Sequence, residues 1–210
     1  MHDAASPDTS VHTGATRRVF LQAAAAAGSI AILSRSGGAQ DRTAPLKVGV
    51  IGCGGRGTGA AVDALTASPR IQIHALGDLF EDRVTSSRNA IAGHGARGTV
   101  PNERVYVGFD AYQKVIDSGV DIVILATAPF FRPIHLAAAV KAGKHVFMEK
   151  PVAVDPAGVR SVIASAELAE QQGLSIVAGT QRRHEACYLE AMKRVQGGAI
   201  GDVVAARCYW

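Results

Sequence analysis

Between Leu46 and Gly57 the chain reads LKVGVIGCGGRG, an apolar run ending on glycines spaced G-x-G-x-x-G at Gly52, Gly54 and Gly57. No other stretch restricts the fold as much. A strand must end at Gly52, because the helix-forming segment GRGTGAAVDALTA begins at Gly55. Gly52 makes the tight turn. Gly54 lets an anionic group approach the backbone, and Gly57 lets the new helix pack closely on the strand. The spacing alone is weak in a chain with 23 glycines. Its place between a strand and a helix gives it weight.

Downstream, short apolar runs alternate with helical stretches, the pattern of βαβ units that build a parallel sheet. Strands are predicted at 46–52, 71–78, 104–107, 120–127, 145–149 and 174–179, and helices at 55–67, 80–91, 110–118, 131–142 and 156–172. VDIVILAT (120–127) is nearly all β-branched or Leu, as a strand buried on both faces requires. Gly143 and Gly173 are placed to stop helices, and Asp155 before Pro156 to start one. Residues 181–198 read as largely helical, and IGDVVAARCYW (200–210) as a half-exposed strand. The expected fold class is α/β, a Rossmann-type parallel sheet with flanking helices, and the terminal strand predicts that a second, sheet-based domain follows. The expected division is a leader over 1–39, a linker over 40–45, a dinucleotide-binding domain over 46–180, and a junction helix and first strand of a truncated substrate domain over 181–210.

A second feature supports a dinucleotide. Asp78 ends the second strand, 21 residues after Gly57. There it can accept hydrogen bonds from the adenosine ribose hydroxyls and would repel a 2′-phosphate. The expected cofactor is therefore NAD, with NADP possible because Arg83 follows closely. The turn residues Gly52, Cys53, Gly54, Gly55, Arg56 and Gly57 are the expected phosphate-binding set, through backbone N–H groups and the helix dipole. Arg56 either faces the pyrophosphate or is a solvated side chain at the helix start.

Composition limits the alternatives. With 48% hydrophobic and 19% charged residues the chain is globular rather than disordered. Its net charge of +4 is small, and no basic cluster with interleaved aromatics marks a nucleic-acid partner. The 3 cysteines are odd in number and widely spaced, which fits neither a disulfide framework nor a metal site. Cys53 reads as a small packing residue. Near the N-terminus, TRRVFLQ precedes AAAAAGSIAIL. An arginine pair, an apolar run too short for the roughly 20 residues of a membrane span, and a small-residue exit form a secretory leader. It resembles a twin-arginine leader, with Gln22 at the last position of the pattern. That resemblance implies export of the folded protein by the twin-arginine machinery. A periplasmic or exported location follows, or membrane anchoring if the leader stays uncleaved.

AGKHVFMEKP (142–151) places a Glu-Lys pair just past the carboxyl end of a strand, where open α/β sheets bind ligands. A cis Lys150–Pro151 bond would aim both side chains into the crevice. The lesser alternative for the pair is a surface salt bridge in a turn. Together, GCGGRG, Asp78, DIVILAT, AGKHVFMEKP and GTQRRH (179–184) resemble the Gfo/Idh/MocA oxidoreductases over about residues 46–210. The resemblance implies hydride transfer between NAD(P) and a secondary hydroxyl of a sugar, sugar acid or cyclitol. It implies that Lys150 is catalytic, contacting the substrate hydroxyl and the nicotinamide edge. Glu149 would support the cofactor side, Thr127 would line the dinucleotide, and Gln181 and Arg182 would lie near the nicotinamide and the domain junction. It also implies that the second domain is an α+β antiparallel sheet of which this chain holds the start, with an acid/base pair beyond Trp210, and a homo-oligomer joined through that domain.

The family's TPxxxH pattern departs here to TAPFFRPIH (127–135). Arg132 occupies the usual His position. It either holds an anionic substrate group or braces the loop, and His135 reads as a helix residue. Two other readings fit the same residues: a glycosidase acting by transient oxidation with bound NAD, and a dinucleotide-binding subunit without turnover.

Overall fold

The computed structural model describes residues 44–209. The expected leader and most of the expected linker lie outside them. The elements run β1 (Leu46–Ile51), α1 (Gly55–Ala67), β2 (Ile71–Asp78), α2 (Glu81–Ala92), β3 (Val105–Val107), α3 (Ala111–Asp117), β4 (Ile122–Leu125), α4 (Arg132–Lys141), β5 (His145–Glu149), α5 (Pro156–Gln171), β6 (Ile176–Gly179) and α6 (Ala186–Gln196). Short 3-10 turns at Gly95–Arg97 and Asn102–Arg104 connect α2 to β3.

The six strands form one parallel sheet in the order β3-β2-β1-β4-β5-β6. Strand order reverses between β1 and β4, so the connections leaving them diverge and open a crevice at their carboxyl ends. Alternation along the strands fills two cores. On one face Val123, Leu125, Val146 and Met148 pack against α3, α4 and α5. On the other, Val48, Val50, Ile73 and Ile124 pack against α1 and α2.

Helix ends follow their local chemistry. The Asp155 carboxylate accepts a hydrogen bond from the Gly158 N–H at 2.6 Å and so caps α5. Gly173, with φ 69°, lets the chain leave α5 in the left-handed conformation, and the Leu174 N–H returns to the Ala169 carbonyl at 2.8 Å. Leu174 is therefore part of the helix cap, and β6 begins two residues later than expected.

One element differs outright. Residues 200–209 form no strand. A strand is defined by its backbone pairing with a neighbour, and alternation of side chains supplies none. No antiparallel second domain is present among the described residues.

Candidate dinucleotide site

The turn after β1 is built as the glycine spacing demands. Gly52 has φ 95°, a conformation that side chains rarely adopt. A Cβ on Gly57 would lie 1.7 Å from the Gly52 carbonyl oxygen, so α1 packs on the strand end only through a bare backbone. Gly54 is different. A Cβ there would meet nothing nearer than the Arg83 guanidinium, at 3.8 Å. The protein leaves that space open, and a ligand approaching the α1 N-terminus would use it.

Gly54 opens onto a cavity of about 500 Å³ over the carboxyl ends of β1, β2 and β4. Asp78 lines it with both carboxylate oxygens fixed: one accepts the Cys53 N–H at 2.6 Å and the other the Phe80 N–H at 3.1 Å. Each oxygen keeps a further acceptor direction for a hydroxyl donor. Arg83 is the only Arg or Lys among the described residues lining the cavity. Phe80 and Phe109 also line it, both exposed, Phe109 at 74%. A cavity with one carboxylate, one guanidinium, open space at a helix N-terminus and exposed rings at its mouth fits a dinucleotide: ribose, phosphates and base.

At the other end, the Thr127 hydroxyl lies 3.3 Å from the His135 Nδ1. The His135 ring stacks on Tyr112, with centroids 4.3 Å apart. Burial, then the nearby Arg132 charge, pushes the His135 pKa down from 6.5 to about 4. The ring is therefore neutral near pH 7 and can fix the orientation of the Thr127 hydroxyl. Tyr112 and the exposed rings of Phe80 and Phe109 escape a sequence reading, because aromatics at these spacings look like core. The Cys53 thiol sits under the turn, and burial pushes its pKa up to about 12. It remains protonated and packs.

Gly52, Gly54, Asp78 and Thr127 thus share one cavity. The long charged side chains go elsewhere. Arg56 faces neither the pyrophosphate position nor bulk water alone. Its Nε donates to a Glu149 oxygen at 2.9 Å, and its Nη2 lies 3.5 Å from Asp63. Glu149, 4% exposed, is correspondingly turned toward Arg56. With Gln181 the two line a second hollow of about 450 Å³ on the opposite face of the sheet.

Arg132 is 1% exposed and donates to the carbonyls of Thr127 and Pro151. Of the two roles its sequence position allows, the structure supports the brace, because a buried guanidinium engaged by two backbone carbonyls is not presented to a substrate. Arg182 donates to the Tyr188 hydroxyl and lies over that ring at 5.2 Å, away from the cavity. Lys150 is exposed just past β5, at the same edge of the sheet as Gly52, Asp78 and Thr127, and its bond to Pro151 is cis. Among the described residues no cluster of three or more His, Cys, Asp or Glu could hold a metal, and no helix is long and apolar enough to cross a membrane.

Comparison with known proteins agrees with this geometry. Residues 46–179 match the Gfo/Idh/MocA family, described as an oxidoreductase family with an NAD-binding Rossmann fold. The chain is 30% identical over 164 residues to inositol 2-dehydrogenase 1 of Saccharopolyspora erythraea, covering 78% of this chain and 45% of that protein. It is 31% identical over 147 residues to a glycosyl hydrolase family 109 protein of Solibacter usitatus, covering 66% of this chain and 33% of that one. Among solved structures, apo scyllo-inositol dehydrogenase from Lactobacillus casei superimposes with a TM-score of 0.60 at 22% identity, over 76% of this chain and 44% of the other. The chain thus spans less than half the length of these relatives. The match over β1 to β6, on a sheet that holds the glycine turn and Asp78 in one cavity, shows that the chain belongs to the Gfo/Idh/MocA oxidoreductase family.

Proposed function

We propose that the chain binds NAD(H), with NADP(H) also admitted, and serves an oxidoreductase acting on a secondary hydroxyl of a sugar, sugar acid or cyclitol. The observation that carries the cofactor is the open space at Gly54, bounded by the α1 N-terminus, Asp78 and Arg83. Asp78 would take the adenosine ribose, the backbone N–H groups of the turn the pyrophosphate, and Thr127 the nicotinamide half. The inositol 2-dehydrogenase relatives support the substrate class.

The nicotinamide supplies or accepts the hydride when bound. The protein's part is placement and charge control. Lys150, extended from the strand end, would donate hydrogen bonds to the substrate hydroxyl and stabilise negative charge developing on that oxygen. Prediction: in the full-length protein, Lys150→Ala lowers kcat on a responsive polyol by about 10²-fold or more and changes the NADH dissociation constant less than about threefold. Stopped-flow kinetics and fluorescence titration measure the two. Unchanged turnover would remove Lys150 from the chemistry.

The glycosyl hydrolase family 109 relative favours a second reading, glycoside cleavage with retained NAD. Product analysis on a glycoside, with no net NADH formed, would select it. A third reading, a dinucleotide-binding subunit, would show saturable NADH binding and no turnover on any polyol or glycoside. We also propose export through the twin-arginine route. The arginine pair and the short apolar run ahead of residue 40 support it. Fractionation of cells with the arginine pair changed to lysines tests it.

A further inference from the structure

Lys150 is exposed, yet the residues on either side of it are held by two arginines from distant parts of the chain. Before it, the buried Glu149 carboxylate accepts the Arg56 Nε–H at 2.9 Å. Gly179, opposite Glu149 in the β5–β6 register, leaves room for that carboxylate: a Cβ at Gly179 would lie 2.7 Å from Oε1. After it, the Pro151 carbonyl accepts from the buried Arg132 guanidinium.

Each arginine also stands on an element of the dinucleotide cavity. Arg56 is the second residue of α1, directly behind Gly54 and Gly55. Arg132 donates its other Nη group to the carbonyl of Thr127, which lines the cavity. The same two side chains that grip Lys150's neighbours are therefore rooted in the glycine turn and in the loop after β4. Neither contact is a surface accident. Glu149 and Arg132 are both nearly inaccessible, and a buried charge costs free energy unless it is paired or hydrogen-bonded, as Glu149 is by Arg56 and the two Nη groups of Arg132 are by the carbonyls.

We propose that Arg56 and Arg132 are positioning residues that fix the Glu149–Pro151 backbone to the dinucleotide site, so that Lys150 is set in place relative to bound cofactor. This rests on the reading of Lys150 under Proposed function and goes beyond it by naming what aims the side chain. Arg56 acts through Glu149, and Arg132 through the Pro151 and Thr127 carbonyls. Neither touches cofactor or substrate. An Arg at both positions suits the task, because its fork reaches two acceptors in fixed directions, which the single ammonium of Lys does not.

The test reads Lys150 itself. The chain is treated with limiting acetic anhydride with and without saturating NADH, and acetylation at Lys150 is quantified by peptide mass spectrometry, with exposed Lys141 as internal reference. In the unaltered chain NADH is expected to slow Lys150 acetylation about tenfold. Arg56→Ala and Arg132→Lys should still bind NADH and melt cooperatively, but protection should fall below about threefold. Arg56→Lys should keep more of it than Arg56→Ala. Because Arg56 is partly exposed, its variants remain informative even if Arg132→Lys fails to fold. Full protection in NADH-saturated Arg56→Ala overturns the proposal while leaving Lys150 beside the cofactor. No protection in the unaltered chain overturns both the proposal and the placement of Lys150.

Discussion

Two glycines of one motif should fail in different ways, because only one of them is required by the protein itself. At Gly57 a methyl group would overlap the Gly52 carbonyl, 1.7 Å from the added Cβ. Gly57→Ala should therefore destabilise the fold by about 3 kcal/mol or more, as overpacking against backbone does at its worst. At Gly54 the nearest atom is 3.8 Å away and the backbone conformation is ordinary, so Gly54→Ala should cost less than about 1 kcal/mol, mostly as a poorer N-cap. Its NADH affinity should nonetheless drop about tenfold or more, since the methyl occupies the phosphate's approach. Urea denaturation and fluorescence titration on both variants separate these outcomes. Unchanged affinity in Gly54→Ala would mean that no phosphate passes there. His135 makes a pH-dependent prediction. Its pKa falls from 6.5 to about 4 on folding, so the unfolded chain binds its proton first. The stabilisation is complete above pH 6.5 and is lost as pH falls toward 4, amounting to about 3 kcal/mol at that limit. His135→Phe keeps the stack on Tyr112 and should flatten the stability profile across that window. Chemical denaturation at pH 7.5, 5.5 and 4.5 measures the difference between variant and parent.

At the scale of elements, the cap of α5 shows what sequence chemistry determines locally. Asp155 holds the Gly158 N–H at 2.6 Å, and Asp155→Ala should lower stability by about 1 kcal/mol while leaving NADH affinity unchanged. Equal stability by urea denaturation would mean that another group satisfies that N–H. The elements whose ends are marked by Gly, Pro or Asp were legible: α1, β2 and β5 span the expected residues, and α5 differs by one. Those ends that depend on a distant partner were not. β4 begins at Ile122 rather than Val120, because the Asp121 carboxylate first accepts the Lys47 N–H at 2.8 Å and ties the strand start to β1 from the side. The 200–209 segment alternates but pairs with no neighbour among the described residues. The site divides by the same rule. Gly52, Gly54, Asp78 and Thr127 reach the cavity because backbone position or a short side chain decides their place. Arg56, Glu149, Arg132 and Arg182 end where a partner several ångströms from their own backbone draws them, and no local pattern names that partner.

For the molecule as a whole, the uneven covering of the sheet has a measurable consequence. α3, α4 and α5 pack on one face against residues of all six strands, while α1 and α2 cover the other mainly over β1, β2 and β3. Over β4, β5 and β6 that second face keeps Ile122, Phe147 and Val177 along the floor of the second hollow, and Val177 is 54% exposed. β6 is also an edge strand of the sheet among the described residues, its outer backbone side unpaired there. An apolar face beside an open edge favours contact between chains. The 210-residue chain should bind an apolar dye such as anilinonaphthalene sulfonate and associate as its concentration rises. Val177→Lys places a charge on that face beside its open edge and should cut dye fluorescence about twofold and shift sedimentation toward the smaller species. NADH affinity should be unaffected, because Val177 is not among the residues that line the dinucleotide cavity. Dye binding and sedimentation that ignore the lysine would mean that this face is not where chains meet. The exposed helix α6, with Leu189 and Met192 on its surface, would then be the next surface to charge.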